Sequence, residues 1–223
     1  MNRVVFSLIS YIRYALYLIV FIGFFPATAG SYDDFFNAIA QDDSVRIKQL
    51  LKRGFDPNTI SPAGVHGLVL AIRTPSPRAI QTLLDAPGIA VEVRTLQDES
   101  PLMLAALAGM HGVCERLISL NADVNKTGWT PLHYAASRSH ADTVRLLLAH
   151  FAYVDAESPN RTTPLLMAAM YGDTTTVKAL LDAGADASLR NDKNLSAVDF
   201  ALQVGNDSSA QLIARYSADS GAR

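Results

Sequence analysis

Between Trp129 and Ala136 the chain reads WTPLHYAA, and altered copies of this octapeptide recur at a nearly fixed interval. The copies are TPLLMAA at 163–169, SPLMLAA at 100–106, SAVDFAL at 196–202, HGLVLAI at 66–72 and, most altered, DDFFNAI at 33–39. They start at 33, 66, 100, 130, 163 and 196, so the steps between them are 33, 34, 30, 33 and 33 residues. A period in this range predicts an array of stacked repeats.

The octapeptide has the composition of a short helix with a defined start. The Thr130 side chain can accept a hydrogen bond from a free backbone N–H in the first turn, and Pro131 suits the first helical position. Leu132, Ala135 and Ala136 then share one face at spacings of three and four residues. A helix of about two turns is unstable alone in water, so neighbouring repeats must hold it.

A second apolar helix follows in each unit. It reads DTVRLLL at 142–148, VCERLI at 113–118, TVKALL at 176–181, VRIKQLL at 45–51 and AIQTLL at 79–84. Gly54, Asn121 and Gly184 come after this helix, and these residue types accept a left-handed C-terminal cap. Phe151 occupies the equivalent place in the fourth unit, where a regular cap is not expected. In the second unit we expect Ser76 to cap the second helix.

Together these motifs resemble the ankyrin repeat family. The resemblance rests on Thr-Pro-Leu-His and Ala-Ala within 130–136, on the Leu-Leu pair of the second helix, and on the Gly-Ala-Asp exit at 184–186. It implies an all-α solenoid of about six helix–turn–helix repeats with short β-hairpin fingers. We expect the repeat domain at 32–216, with polar units at both ends, and a flexible tail at 217–223. The finger between 125 and 130 should be three residues short.

Residues 1–29 have the pattern of a secretory signal peptide. A basic region through Arg13 precedes an uncharged apolar stretch at 14–25, Pro26 breaks the helix, and Ala27-Thr28-Ala29 is a small-x-small cleavage site. We expect cleavage after Ala29. An uncleaved anchor is the alternative, because residues 4–25 contain only one charged side chain. Both interpretations place the repeats outside the cytoplasm.

Composition and motifs argue against several function classes. Without residues 1–29, 17 Lys and Arg face 21 Asp and Glu, and this net charge of −4 disfavours nucleic-acid binding. No hydrolase, phosphate-loop or metal-ligand motif occurs, so we expect no enzyme activity, no cofactor and no metal. The single cysteine, Cys114, is expected to be buried. The resemblance implies that His133 bridges the backbone of adjacent turns.

Function must then depend on the surface. In the family, the fingers and the exposed side of the first helices form a groove that binds other proteins. The resemblance places two sets of candidates there: finger residues Gln97, Glu99, Lys126, Trp129, Asn160, Thr162, Lys193 and Leu195, and first-helix residues Arg73, Leu107, Arg138, Met170, Tyr171 and Gln203. Trp129, Arg138, Met170 and Tyr171 come from adjacent repeats and could form one patch. Aromatic and Arg side chains dominate binding energies when they are desolvated. Alternatively, Trp129 and Tyr171 are packing residues and Arg138 is a solvated charge.

The sequence therefore predicts a non-enzymatic, monomeric domain of a bacterial periplasmic or secreted protein. It would bind one protein partner, whose identity the sequence does not give, and sequester, neutralise or stabilise it. A second hypothesis is an adaptor tethered to the inner membrane and facing the periplasm. A third is an effector exported into a host cell.

Overall fold

A computed structural model describes the chain over residues 30–220, with side chains through residue 218. The predicted leader at 1–29 lies outside this range. Helix α1 occupies 30–40 in the described part. The helices that follow are α2 (Ser44–Lys52), α3 (Gly67–Arg73), α4 (Pro77–Leu84), α5 (Pro101–Leu107), α6 (His111–Ser119), α7 (Pro131–Ala136), α8 (Ala141–Ala149), α9 (Pro164–Tyr171), α10 (Thr174–Asp182), α11 (Ala197–Gln203) and α12 (Asp207–Ser220).

These helices stack as two parallel rows. The first helices of successive repeats pack side by side in the order α3, α5, α7, α9 and α11, and the second helices α2, α4, α6, α8, α10 and α12 form the other row. This is the predicted all-α solenoid. Helix α12 runs to Ser220, past Tyr216, the predicted end of the repeat domain. The first four residues of the predicted flexible tail, 217–220, are therefore helical. Among the described residues, no helix has the length and apolar character needed to cross a bilayer.

The small and apolar positions of the octapeptide line the contact between the rows. Leu132, Ala135 and Leu147 are completely buried, as expected from their helical phase. The spacing of four residues from Val144 predicts that Leu148 is also a core residue, but its side chain is only half-buried. Its side chain lies beside α10, with Lys178 and Ala179, on the outer side of the second row.

Helix starts follow the predicted chemistry in the regular repeats. Thr130 accepts from the His133 N–H, Ser100 accepts from the Met103 N–H, and in each case Pro stands at the first helical position. The prediction for Ser76 is wrong, because its side chain makes no capping hydrogen bond to the second helix α4. The second helices α6 and α8 also start without a side-chain cap. At α4, the carboxylate of Asp42, in the preceding repeat, accepts from the Ala79 N–H at 2.7 Å instead. One repeat thereby caps a helix of the next.

Each second helix of the regular repeats ends in a left-handed residue. Gly54, Asn121 and Gly184 have φ values of +86°, +64° and +89°, and Phe151 adopts the same conformation with φ +64°. The Phe151 N–H donates to the Leu148 carbonyl and the Ala152 N–H donates to the Leu147 carbonyl, both at 3.0 Å. The terminal hydrogen bonds thus hold Phe151 in a conformation that favours glycine.

Candidate protein-binding surface

The fingers are tight turns between one repeat's exit and the next repeat's first helix. Within the described residues, β pairing in them is limited to two isolated bridges, Ile60 with His66 and Arg190 with Ser196. The predicted β-hairpins are therefore reduced to turns. In the finger at 157–163 the Ser158 N–H donates to the Thr162 carbonyl at 3.0 Å, and the Ser158 hydroxyl accepts from the Thr162 N–H at 3.0 Å.

The same closed turn recurs in three other fingers. Ser61, Thr95 and Asn191 each donate a backbone N–H to the residue four positions later and accept that residue's N–H on the side chain. The finger at 125–130 is shorter and turns at Gly128, whose φ is +83°. The missing residues predicted there are those of the closed turn.

Several predicted partner-binding residues are engaged within the protein itself. Glu99 accepts from Arg73 at 2.9 Å and from the Tyr134 hydroxyl at 3.2 Å, which joins α3, a finger and α7. Burial, together with the nearby Glu99 charge, raises the pKa of Tyr134 to about 12. Lys126 pairs with Asp98 across neighbouring fingers. These side chains stabilise the relative positions of the fingers and are less available to a partner.

Two other candidates belong to the interior of the fingers. Thr162 is 6% exposed, and its carbonyl accepts from His133 Nε2 at 2.9 Å. Leu195 is half-buried and packs against the core. The structure thus places Thr162 inside the molecule, since its position in the closed turn points it inward. We assign both residues to folding.

The remaining candidates lie on the surface to different degrees. Met170 and Leu107 are half-buried, and the Leu107 carbonyl accepts from His140 Nε2 at 3.1 Å. The exposed candidates are Gln97, Arg138, Asn160, Tyr171, Lys193 and Gln203. Tyr171 is 57% exposed at the end of α9. Arg138 follows the neighbouring helix α7 and forms no ion pair within the described residues.

The sequence leaves open whether Trp129 binds a partner or packs within the protein. Its side chain is half-buried, and its ring meets His133 edge-on, with 5.3 Å between ring centroids and an interplanar angle of 75°. This ring contact is with its own helix α7. Trp129 therefore contributes to packing, and its side chain is also partly exposed.

Comparison with known proteins identifies the repeats. A family model described as "Ankyrin repeats (3 copies)" matches residues 68–158, and a second, described as "Ankyrin repeat", matches residues 160–192, together more than half of the chain. The chain belongs to the ankyrin repeat family. Ankyrin repeats are generally protein–protein interaction modules, and the fold is generally non-enzymatic.

The chain is similar in sequence to parts of several different proteins. The chain is 30% identical over 159 residues to the B-cell lymphoma 3 protein homolog of Mus musculus, covering 68% of this chain and 35% of that protein. It is 31% identical over 180 residues to the transient receptor potential cation channel subfamily A member 1 of Homo sapiens, covering 76% of this chain and 16% of that protein. The chain thus spans about a third of these relatives' length or less.

A solved bacterial ankyrin domain has nearly the same extent. The crystal structure of an ankyrin repeat domain from Acinetobacter baumannii AYE matches with a TM-score of 0.73 and 27% sequence identity. The match covers 82% of this chain and 96% of that one. Most of this chain therefore corresponds in fold to nearly all of that ankyrin domain.

One histidine, His133, has a structural position between adjacent repeats. His133 is fully buried, its Nδ1 accepts from the Thr130 N–H at 3.2 Å, and its Nε2 faces the Thr162 carbonyl. Burial lowers the pKa of His133 to about 4. His133 therefore bridges adjacent repeats in its neutral form.

No reactive centre is evident in the part of the chain that the structure describes. Cys114 is buried, and this burial raises the pKa of its thiol to about 12, so the nucleophilic thiolate is suppressed. Residues 30–220 contain no group of His, Cys, Asp and Glu side chains arranged to hold a metal ion.

The structure also shows exposed apolar side chains that sequence reasoning did not select. Leu202 and Val204, near the end of α11, are 56% and 50% exposed, and Phe151 and Tyr153 are 84% and 70% exposed. Comparison of the repeat units could have selected one of these residues, Phe151, because it occupies a position that favours glycine.

Proposed function

We propose that this protein is a non-enzymatic binding protein that recognises one protein partner through its groove surface, formed by the finger tips and the exposed side of the first helices. The observation that carries the proposal is that Arg138 and Tyr171 stand at the C-terminal ends of the packed helices α7 and α9: Arg138 follows α7, and Tyr171 is the last residue of α9. Both are exposed, and Arg138 forms no ion pair within the described residues. Arg and Tyr are enriched among residues that dominate binding energies.

The surroundings of these two residues favour a fixed binding surface. The half-buried Met170 precedes Tyr171 and packs against the core. On the other side, the Arg73–Glu99–Tyr134 hydrogen bonds connect three elements of the same surface. A surface held in this way loses little conformational entropy when a partner binds.

Calorimetric titration with the partner, after affinity capture from the native host has identified it, tests this proposal. Tyr171→Ala and Arg138→Ala should each weaken binding by about 2 kcal/mol if they are central contacts. The matched control is Arg145→Ala on the second helix α8, where Arg145 pairs with Asp142 and is exposed. Unchanged affinity in both groove variants, with loss in the α8 variant, would move the site to the row of second helices.

We further propose that the domain acts outside the cytoplasm, in the periplasm of a bacterium or after secretion. The support is the pattern of residues 1–29, with the apolar stretch, Pro26 and the small residues at 27 and 29. The partner would then be sequestered, neutralised or stabilised in that compartment. Retention of the leader would make the protein an inner-membrane adaptor instead, and the mass of the protein isolated from its host distinguishes the two.

A further inference from the structure

Two exposed aromatic side chains lie on a surface that the proposed groove does not include. This surface, the exit face, consists of the loops 121–125, 151–155 and 184–188, which follow the second helices of three successive repeats. Phe151 and Tyr153 are 84% and 70% exposed there. Isolated exposed apolar residues are common, but two large aromatics in one loop are candidates for contact with a partner.

Phe151 has a backbone conformation that a bulky residue rarely adopts. Its φ is +64°, and the equivalent positions of other repeats hold Gly54, Asn121 and Gly184. A non-glycine side chain is disfavoured in this region, and asparagine is tolerated better than phenylalanine. The exposed ring brings little burial to offset this strain. Backbone strain is typical of functional positions, so folding alone does not account for Phe151.

The backbone that carries both rings is fixed by the preceding repeat. Asn125 Nδ2 donates to the Phe151 carbonyl at 2.8 Å, and Asn125 Oδ1 accepts from the Tyr153 N–H at 2.9 Å. Ala152, between the two aromatics, is buried. The two rings are therefore presented from a rigid loop.

The charge of the exit face indicates what kind of partner it would accept. Its three loops contain Asp123, Asp155 and Asp186 and no Lys, Arg or His. None of these carboxylates forms an ion pair within the described residues, and the burial of Asp155 and the neighbouring Asp186 charge raise the pKa of Asp155. The charged side chains next to these loops are mostly paired: Lys126 with Asp98, Glu92 with Arg94, and Asp182 with Lys178. His150 directly precedes Phe151.

We propose that the exit face is a second docking surface, on which Phe151 and Tyr153 hold an Arg- or Lys-rich segment of a protein partner between the carboxylates of Asp123 and Asp186. The aromatic faces attract the cationic side chains, and the carboxylates supply the opposite charge. The proposal does not depend on the groove surface. A bilayer and a second copy of the chain are disfavoured occupants, because anionic lipid headgroups and another exit face both carry negative charge.

The test uses the intact protein and a fluorescein-labelled peptide of alternating arginine and glycine, with binding followed by fluorescence anisotropy. A peptide of alternating glutamate and glycine is the charge control. Phe151→Gly and Tyr153→Ser should each weaken binding of the arginine peptide at least about fivefold. Asp123→Asn combined with Asp186→Asn should weaken it further and reduce its salt dependence. Tyr171→Ala, on the groove surface, should leave the affinity for this peptide unchanged.

Stability measurements keep this test independent of unfolding. Phe151→Gly removes the strain at φ +64°, so we expect its urea midpoint to rise while its peptide affinity falls. Equal affinity of wild type, Phe151→Gly and Tyr153→Ser for the arginine peptide would overturn the proposal, because the carboxylates would then act as a nonspecific anionic surface. Failure of the wild type to bind the arginine peptide would also overturn it. Aromatic-dependent binding to phosphatidylglycerol vesicles instead would show that a membrane is the occupant.

Discussion

Acid should weaken the fold through one buried side chain, His133. The Thr130 N–H donates to its Nδ1 at 3.2 Å, so this nitrogen is an acceptor and the ring proton lies on Nε2. Nε2 then donates to the Thr162 carbonyl at 2.9 Å. A second proton on Nδ1 would face the Thr130 N–H, in an interior that already disfavours charge.

The pKa of His133 determines the size and direction of the effect. Burial lowers it from 6.5 to about 4. A depressed pKa in the fold means that the full stability is present above the unfolded value and is lost as the pH falls from 6.5 toward 4. Linkage with these two values predicts a loss of about 2.5 kcal/mol between pH 7.5 and pH 4.5.

Urea unfolding of wild type and His133→Gln at both pH values measures this contribution. The variant should be less stable at pH 7.5 but should lose about 2.5 kcal/mol less on acidification. Burial also lowers the pKa of His66, but that contribution is common to both proteins and cancels in the difference. Leu147→Ala is a control that lowers stability without removing a titratable group. If wild type and His133→Gln lose the same free energy, His133 is not the buried neutral bridge described above.

Three further predictions concern the core, the caps and the leader. Leu147→Ala should lower the free energy of unfolding by about 2–5 kcal/mol. Leu148→Ala should lower it by clearly less, because Leu148 is half-buried. Equal urea midpoints for the two variants would contradict the helix phase. Gly184→Val should lower the melting temperature, because φ at Gly184 is +89° and a β-branched residue resists it; Ala183→Val, one residue earlier at φ −83°, is the matched control. N-terminal sequencing of the protein from its native host should start at Gly30, and a sequence starting at Met1 on membrane-bound protein would support the tethered adaptor.

The repeat architecture was readable from the sequence because each signal is local. The Thr130–Pro131 start, the apolar spacing of three and four residues, and the exit at Gly184 each depend on a few consecutive residues. Their recurrence in register then gave the stacking. The predicted β-hairpins overestimated the β structure of the fingers. A finger turn is closed by the hydrogen bonds that Ser158 and its equivalents make with the residue four positions later, and it needs no paired strands.

The binding residues were harder to predict because their availability depends on contacts between repeats. Glu99 meets Tyr134, 35 positions away, and Thr162 is buried below His133. Neither contact can be inferred from the residues that are adjacent in the sequence. Phe151 is the opposite case, since its place in the repeat marked it as unusual but gave no indication that its ring is exposed.

The central claim is that the groove surface of this ankyrin domain binds a protein partner, and quantitative affinity capture with paired variants tests it most directly. Tagged wild type, an Arg138→Glu/Tyr171→Ala double variant and the α8 control Arg145→Glu would be compared in the native host by mass spectrometry. The wild type and the two variants should have similar urea midpoints, because the substituted side chains are exposed. We predict one protein that is enriched with wild type and the control and lost with the double variant. A partner that the groove variant retains and the α8 variant loses would contradict the claim.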